Sequence, residues 1–225
     1  MKAGGAGGGR SAPELRAAAE LALVVAITLG PWVFHRIPVN RTLAILALGW
    51  WSLRVRRVGW KGVGLARPSS WRHTVATGVA TGVLLQALSE FVTGPLLSRI
   101  LHSKPDLSLF RPIVGHPGKL LWCLALVWMF AAFGEEMAFR GYVLNRAAEL
   151  GGGGRLAWAV ALPFASVLFG MGHSYQGAVG MVDNGLYALA LGGVYLACGR
   201  NLWVAILAHG TSDTIALGAA FLGHL

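Results

Sequence analysis

Seven long apolar stretches dominate this chain and leave few choices of fold. They run roughly over residues 15–34, 43–53, 74–97, 120–145, 157–173, 182–198 and 202–223. A bilayer core about 30 Å thick takes about 20 apolar residues in a helix. The runs are too many and too long for one soluble core. They predict an all-α, polytopic transmembrane helix bundle of about seven spans (six to eight), with any active site in a polar cavity between helices. The second run is short and needs Pro38–Thr42 and Trp50–Trp51 at the membrane interfaces, or only partial insertion.

Composition agrees. Of the 225 residues, 55% are hydrophobic and 12% charged, and the mean hydropathy is +0.60; soluble domains carry about 25% charge. The net charge of +10 is read as basic loops that orient a membrane protein, not as a nucleic-acid surface, because the aromatics lie within the apolar runs. Arg54, Arg56, Arg57, Lys61, Arg67 and Arg72 share one acid-free linker. With that linker in the cytoplasm, Lys and Arg divide twelve to six between the two sides, which predicts a cytoplasmic N-terminus and an outward C-terminus. Cys123 and Cys198 stand alone in apolar segments, and support neither a zinc site nor a disulfide framework.

Residues 1–16, MKAGGAGGGRSAPELR, read as a disordered, basic, Gly-rich tail. No small-residue cleavage site follows the first run, and Glu20 interrupts the approach to it, so the run reads as a retained helix rather than a cleaved signal. Ser11-Ala-Pro-Glu14 has the form of a capping box, with Pro near the first turn. Residues 17–118 read as a transmembrane scaffold and 119–225 as the functional core, because the intramembrane polar residues concentrate after residue 130.

The stretch AFGEEMAFRGYVL, residues 132–144, puts three charges in an apolar run. A charge at the bilayer centre costs at least ~2.5–3.5 kcal/mol, so each needs a partner or water. Glu136 and Arg140 are i and i+4 and share a helix face; Glu135 lies about 100° around. The spacing predicts a structural pair, Glu136 with Arg140, and leaves Glu135 to face something else. Candidates are His173, at the end of FGMGH, and His209 and Asp213, again i and i+4, in HGTSD. A Glu and two His converging from three helices could activate water, with the carboxylate as general base and the imidazoles orienting water or stabilising an oxyanion.

Depth offers a check. Counted from Arg146 and Arg200, Glu135 and His209 lie ~16 and ~13 Å deep. His173, counted from Arg155, lies ~27 Å deep, and reaches the same level only if its helix starts at Pro163. Phe169 reads as packing that walls the site. Gln86 and Glu90 sit one turn apart in the third run, Glu90 as a candidate for pairing across the bundle. Asp183 and Asn184 read as the start of the sixth helix; His35, His73, His102, His116 and His224 read as interfacial.

Glu135-Glu136-x-x-x-Arg140, then Phe169-x-x-x-His173, then His209-x-x-x-Asp213 resembles the three-motif signature of the CPBP family, the CAAX-protease and bacteriocin-processing (Abi) group of glutamic intramembrane proteases. The likeness covers about residues 130–217 and includes FRGYVLNR after the acid pair and NLWVAILAHG before the last motif. It implies that Glu135 activates water, His173 helps bind it, His209 with residue 213 stabilises the oxyanion, and Glu136 and Arg140 hold the architecture. The last motif of the family often ends in Asn. Asp213 can donate a hydrogen bond only when protonated, and otherwise would orient His209.

The expected function is an intramembrane endopeptidase acting through Glu-activated water on a membrane-associated protein or peptide, in a bacterial inner membrane and with no nucleic-acid partner. The Gly/Ala/Arg-rich composition leans bacterial, so a pro-bacteriocin, signal peptide or sorting tail stands beside a prenylated CAAX tail as substrate. No cofactor is expected. Zinc held by Glu and two His is the less favoured mechanism. The rival readings are a non-catalytic immunity or regulatory protein that binds a peptide, and a proton-coupled transporter.

Overall fold

The computed structural model describes residues 11–33 and 40–224. Most of the expected tail, His35 and the interfacial Pro38 lie outside those residues. All seven apolar stretches are helical. They form α1 (Ala12–Val33), α2 (Arg41–Val55), α3 (Trp71–Ile100), α4 (Pro117–Leu150), α5 (Arg155–Gly172), α6 (Gly177–Ala197) and α7 (Leu202–Phe221).

Local chemistry starts these helices. Glu14 Oε2 accepts the Ser11 N–H at 2.9 Å, one half of a capping box. Asn40, Ser70 and Asn201 cap α2, α3 and α7 through their side-chain oxygens. Pro117 opens α4, where its missing N–H costs nothing.

Helices α3 to α7, α6 with the short turn before it, are long and apolar enough to cross a membrane. Their outer faces carry exposed Leu84, Phe91, Leu121 and Leu156, which suits hydrocarbon rather than water. The protein is an integral membrane helix bundle. α1 is long enough but carries Glu14, Arg16 and Glu20, and α2, at 15 residues, spans ~22 Å.

α7 is the central helix and packs on α3, α4 and α6, while α5 packs on α6. Small residues let these backbones meet. A Cβ on Gly82 of α3 would stand 2.4 Å from the Ala208 carbonyl oxygen of α7, and one on Gly170 of α5 would stand 2.5 Å from that of Met181 in α6.

α4 holds the acid pair and is not a regular α-helix. Val127–Glu135 and Met137–Leu144 follow wider, π-helical i→i+5 turns. Such turns concentrate at functional sites, and here they fall on both sides of Glu136.

Three expectations need correction. α5 starts at Arg155 and runs through Pro163; a membrane helix can absorb the lost bond when its neighbours re-satisfy the backbone. Asp183 and Asn184 lie inside α6, not at its start. Asp183 instead accepts hydrogen bonds from Ser89 and Thr93, the first and last residues of the π-helical turn of α3. Glu90 does not face across the bundle; it is exposed, while Gln86 Oε1 accepts the Ser212 hydroxyl at 2.8 Å.

Candidate active site

The three motifs come from α4, the end of α5 and the middle of α7. The depth expected for His173 is corrected by where the helices end. Arg146 is buried, not at the membrane edge. Its Nε and Nη2 donate to Glu20 of α1 at 2.7 and 3.2 Å, and α4 continues to Leu150. Counted from Leu150, Glu135 lies 15 residues along α4, close to the 17 from Arg155 to Gly172. α7 starts higher in the bundle. Arg200, just before it, donates to Asn145 Oδ1 at 3.1 Å and lies over the Trp158 ring. His209 therefore meets the acid pair after only two turns.

Glu136 and Arg140 pair as their spacing predicts, Arg140 Nη1 donating to Glu136 Oε1 at 2.7 Å. Arg140 Nη2 donates to the Ala188 carbonyl of α6 at 3.1 Å. Glu136 is fully buried and Arg140 3% exposed. The same Glu136 oxygen lies 2.8 Å from His209 Nδ1, a contact between helices that local spacing does not reveal. Glu136 thus joins α4 to α7 and, through Arg140, to α6.

His209 is held from two sides. Nδ1 faces Glu136 and Nε2 faces Asp213 Oδ2 at 3.4 Å. Asp213 is partly accessible, its side chain 30% exposed. His173, at the C-terminal end of α5, puts Nδ1 2.9 Å from the Phe169 carbonyl oxygen. A carbonyl only accepts, so Nδ1 carries the hydrogen and the neutral ring keeps Nε2 as an acceptor.

Phe169 joins the motifs. Its ring lies 4.7 Å from that of His173 and 6.0 Å from that of His209, with the Arg140 guanidinium 4.8 Å from its centre. Charge on an aromatic face is attracted by the ring quadrupole. Phe169 therefore packs against Arg140 and walls the space between His173 and His209.

Glu135 differs from its neighbour. It is half-buried, and its Oε1 lies 3.5 Å from Thr42 Oγ1 at the start of α2. Its Oε2, like that of Glu136, is enclosed without a hydrogen-bond partner. The site has two layers: Glu136, Arg140 and His209 buried below, and Glu135, His173 and Asp213 half-buried above. Among the described residues, no group of three His, Cys, Asp or Glu is arranged to hold a metal ion.

Three contributors were not singled out from sequence. Thr42 adjoins Glu135. Arg41 Nη1 donates to the Gly172 carbonyl at 3.0 Å and ties α2 to the helix end that presents His173. Tyr187 of α6 places its ring 5.8 Å from that of His209. A basic residue opening a short apolar helix was the available signal for Arg41; Thr42 and Tyr187 had none.

No curated protein and no solved structure matches the chain. Residues 117–215, which span α4 to most of α7 and hold all three motifs, match the family model for type II CAAX prenyl endopeptidase Rce1-like proteins, in agreement with the CAAX-protease resemblance of those motifs.

Proposed function

We propose that this protein is an intramembrane endopeptidase that hydrolyses a peptide bond in a membrane-associated protein or peptide. The observation that carries this reading is the contrast between two adjacent carboxylates. Glu136 is bound through Oε1 to Arg140 and His209, whereas Glu135 meets only the Thr42 hydroxyl, at 3.5 Å; each keeps a second oxygen without a partner. A carboxylate without a paired cation, next to histidines, is suited to general base work.

In this mechanism Glu135 takes a proton from water as the water oxygen bonds to the scissile carbonyl carbon. The acceptor Nε2 of His173 receives a hydrogen bond from the same water and orients it. The tetrahedral oxygen develops on the His209 and Asp213 side. The C–N bond then breaks, and the amine leaves with the proton that Glu135 had taken. Glu136 and Arg140 position His209 and the α4–α6–α7 contact.

Zinc is not required by this scheme. The family match makes a prenylated CAAX tail the first probe, with a peptide, signal or sorting tail of a bacterial inner-membrane protein as the further substrate class. The linker charges favour a cytoplasmic N-terminus.

The test compares wild type with Glu135→Gln at equal membrane levels in the native host, reading protein termini. A membrane protein left unprocessed only in the variant names the substrate. No difference in any terminus, with the variant still rescuing a deletion, would sink the protease reading in favour of a peptide-binding immunity role.

A further inference from the structure

Hydrolysis through a tetrahedral intermediate needs hydrogen-bond donors where its oxyanion forms. The donors near Glu135 are almost all committed. Arg140 gives Nη1 to Glu136 and Nη2 to the Ala188 carbonyl. His173 gives Nδ1–H to the Phe169 carbonyl. His209 directs its nitrogens at Glu136 and Asp213, and an ionised Asp213 has no hydrogen to give. Ser212, one turn from His209, gives its hydroxyl to Gln86.

One donor stands apart. Enclosed side-chain polar atoms without a partner are Glu135 Oε2, Glu136 Oε2 and the Tyr187 hydroxyl, among the described residues. The first two are carboxylate oxygens, so Tyr187 is the only enclosed O–H among them. Its ring lies 5.8 Å from that of His209, and its polar neighbour is Ser212, whose own hydroxyl hydrogen goes to Gln86. A phenol hydroxyl enclosed without a hydrogen-bond partner loses its hydration uncompensated, and such groups are rare in native proteins. Tyr175 is the other phenol nearby, its ring 5.8 Å from His173. It is 51% exposed and accepts from Gln176, so it sits at the rim.

We infer that Tyr187 is a catalytic residue, donating its phenolic hydrogen to the oxyanion of the scissile carbonyl opposite Glu135. The inference rests on the endopeptidase reading. It accounts for a site whose third motif ends in an acceptor: α6 supplies the hydrogen that Asp213 lacks. The phenol keeps its proton throughout, so the step changes no bond order at Tyr187. The hydrogen bond strengthens as the carbonyl oxygen gains charge, and relaxes when the C–N bond breaks.

The experiment uses the full-length protein in bilayer nanodiscs with a quenched-fluorophore, farnesylated CAAX peptide as probe. Wild type, Tyr187→Phe, Tyr175→Phe and Glu135→Gln are compared, with kcat taken per folded enzyme from the monodisperse fraction. Loss of one oxyanion donor lowers kcat by about 10²–10³-fold, and KM moves little because the contact belongs to the transition state. The expected result is that fall in Y187F, with near-wild-type kcat in Y175F. A Y187F kcat less than roughly tenfold below wild type, or the larger fall in Y175F, overturns the assignment while leaving Glu135 in place. Wild type no faster than E135Q overturns the endopeptidase reading on this probe, and removes the reaction the donor would serve.

Discussion

His209 Nδ1 and Glu136 Oε1 lie 2.8 Å apart, although 73 residues separate them in the chain. The carboxylate at the other end of this contact also holds Arg140, and all three groups are buried. Removing one member of such a buried, charged set leaves the others uncompensated, at ~3–5 kcal/mol. Glu136→Gln and Arg140→Ala should therefore lower the detergent-solubilised melting temperature and the yield of folded protein. Glu135→Gln should leave both close to wild type and abolish cleavage. Equal melting temperatures for all three variants would refute the division of labour between the two acids.

Thr42 lies 3.5 Å from Glu135, a long contact that orients more than it binds. Thr42→Val should lower kcat by about tenfold or less, the effect of a weak hydrogen bond to a charged group. KM for the same peptide should not change. A rise in KM at constant kcat would move Thr42 from positioning Glu135 to contacting substrate.

The tautomer of His173 has a consequence for mutagenesis. Asn can imitate the Nδ1–H bond to the Phe169 carbonyl but not the Nε2 acceptor. His173→Asn should fold like wild type and lose at least about 10²-fold in kcat, the usual scale of a positioned proton-transfer group. Retained activity would show that Nε2 does not meet the water.

A second buried network tests whether the site depends on its scaffold. Glu20 accepts from Arg146, Ser52 and Tyr142, while Arg56 and Arg146 both reach Glu149. It binds α1 and α2 to the end of α4 away from the acid pair. Glu20→Gln should lower stability by ~3–5 kcal/mol, read from thermal unfolding, with specific activity per folded molecule unchanged. A fall in specific activity at equal stability would join this network to the chemistry.

Chelation separates the two hydrolytic mechanisms. Cleavage of the farnesylated probe should be unchanged after incubation with 1,10-phenanthroline and in chelator-treated buffer. Loss of activity restored by zinc would replace the carboxylate mechanism with a metal-assisted one.

By itself, the sequence determined the features that rest on hydrophobicity and on spacing along one helix. Seven apolar runs can satisfy their backbones in lipid only as helices, and all seven are helices. Glu136 with Arg140, His209 with Asp213 and Phe169 with His173 are all i and i+4 pairs, and each is a contact in the structure. Ser11 and Glu14 begin α1 where their spacing puts it. These relations survive even the widened turns of α4, because residues four apart stay on one face when a turn holds slightly more than four.

Only the tertiary structure decided which helices meet, at what height and through which atoms. Arg146 looked like the membrane edge until Glu20 came to lie beside it from α1. Pro163 looked like a helix start, but a bundle can absorb its missing bond. Glu136 reaching His209, Thr42 beside Glu135, and the unpartnered hydroxyl of Tyr187 depend on helix rotation and offset. Those are set by small-residue contacts such as Gly82 on Ala208 and Gly170 on Met181, which no periodicity within a single helix encodes.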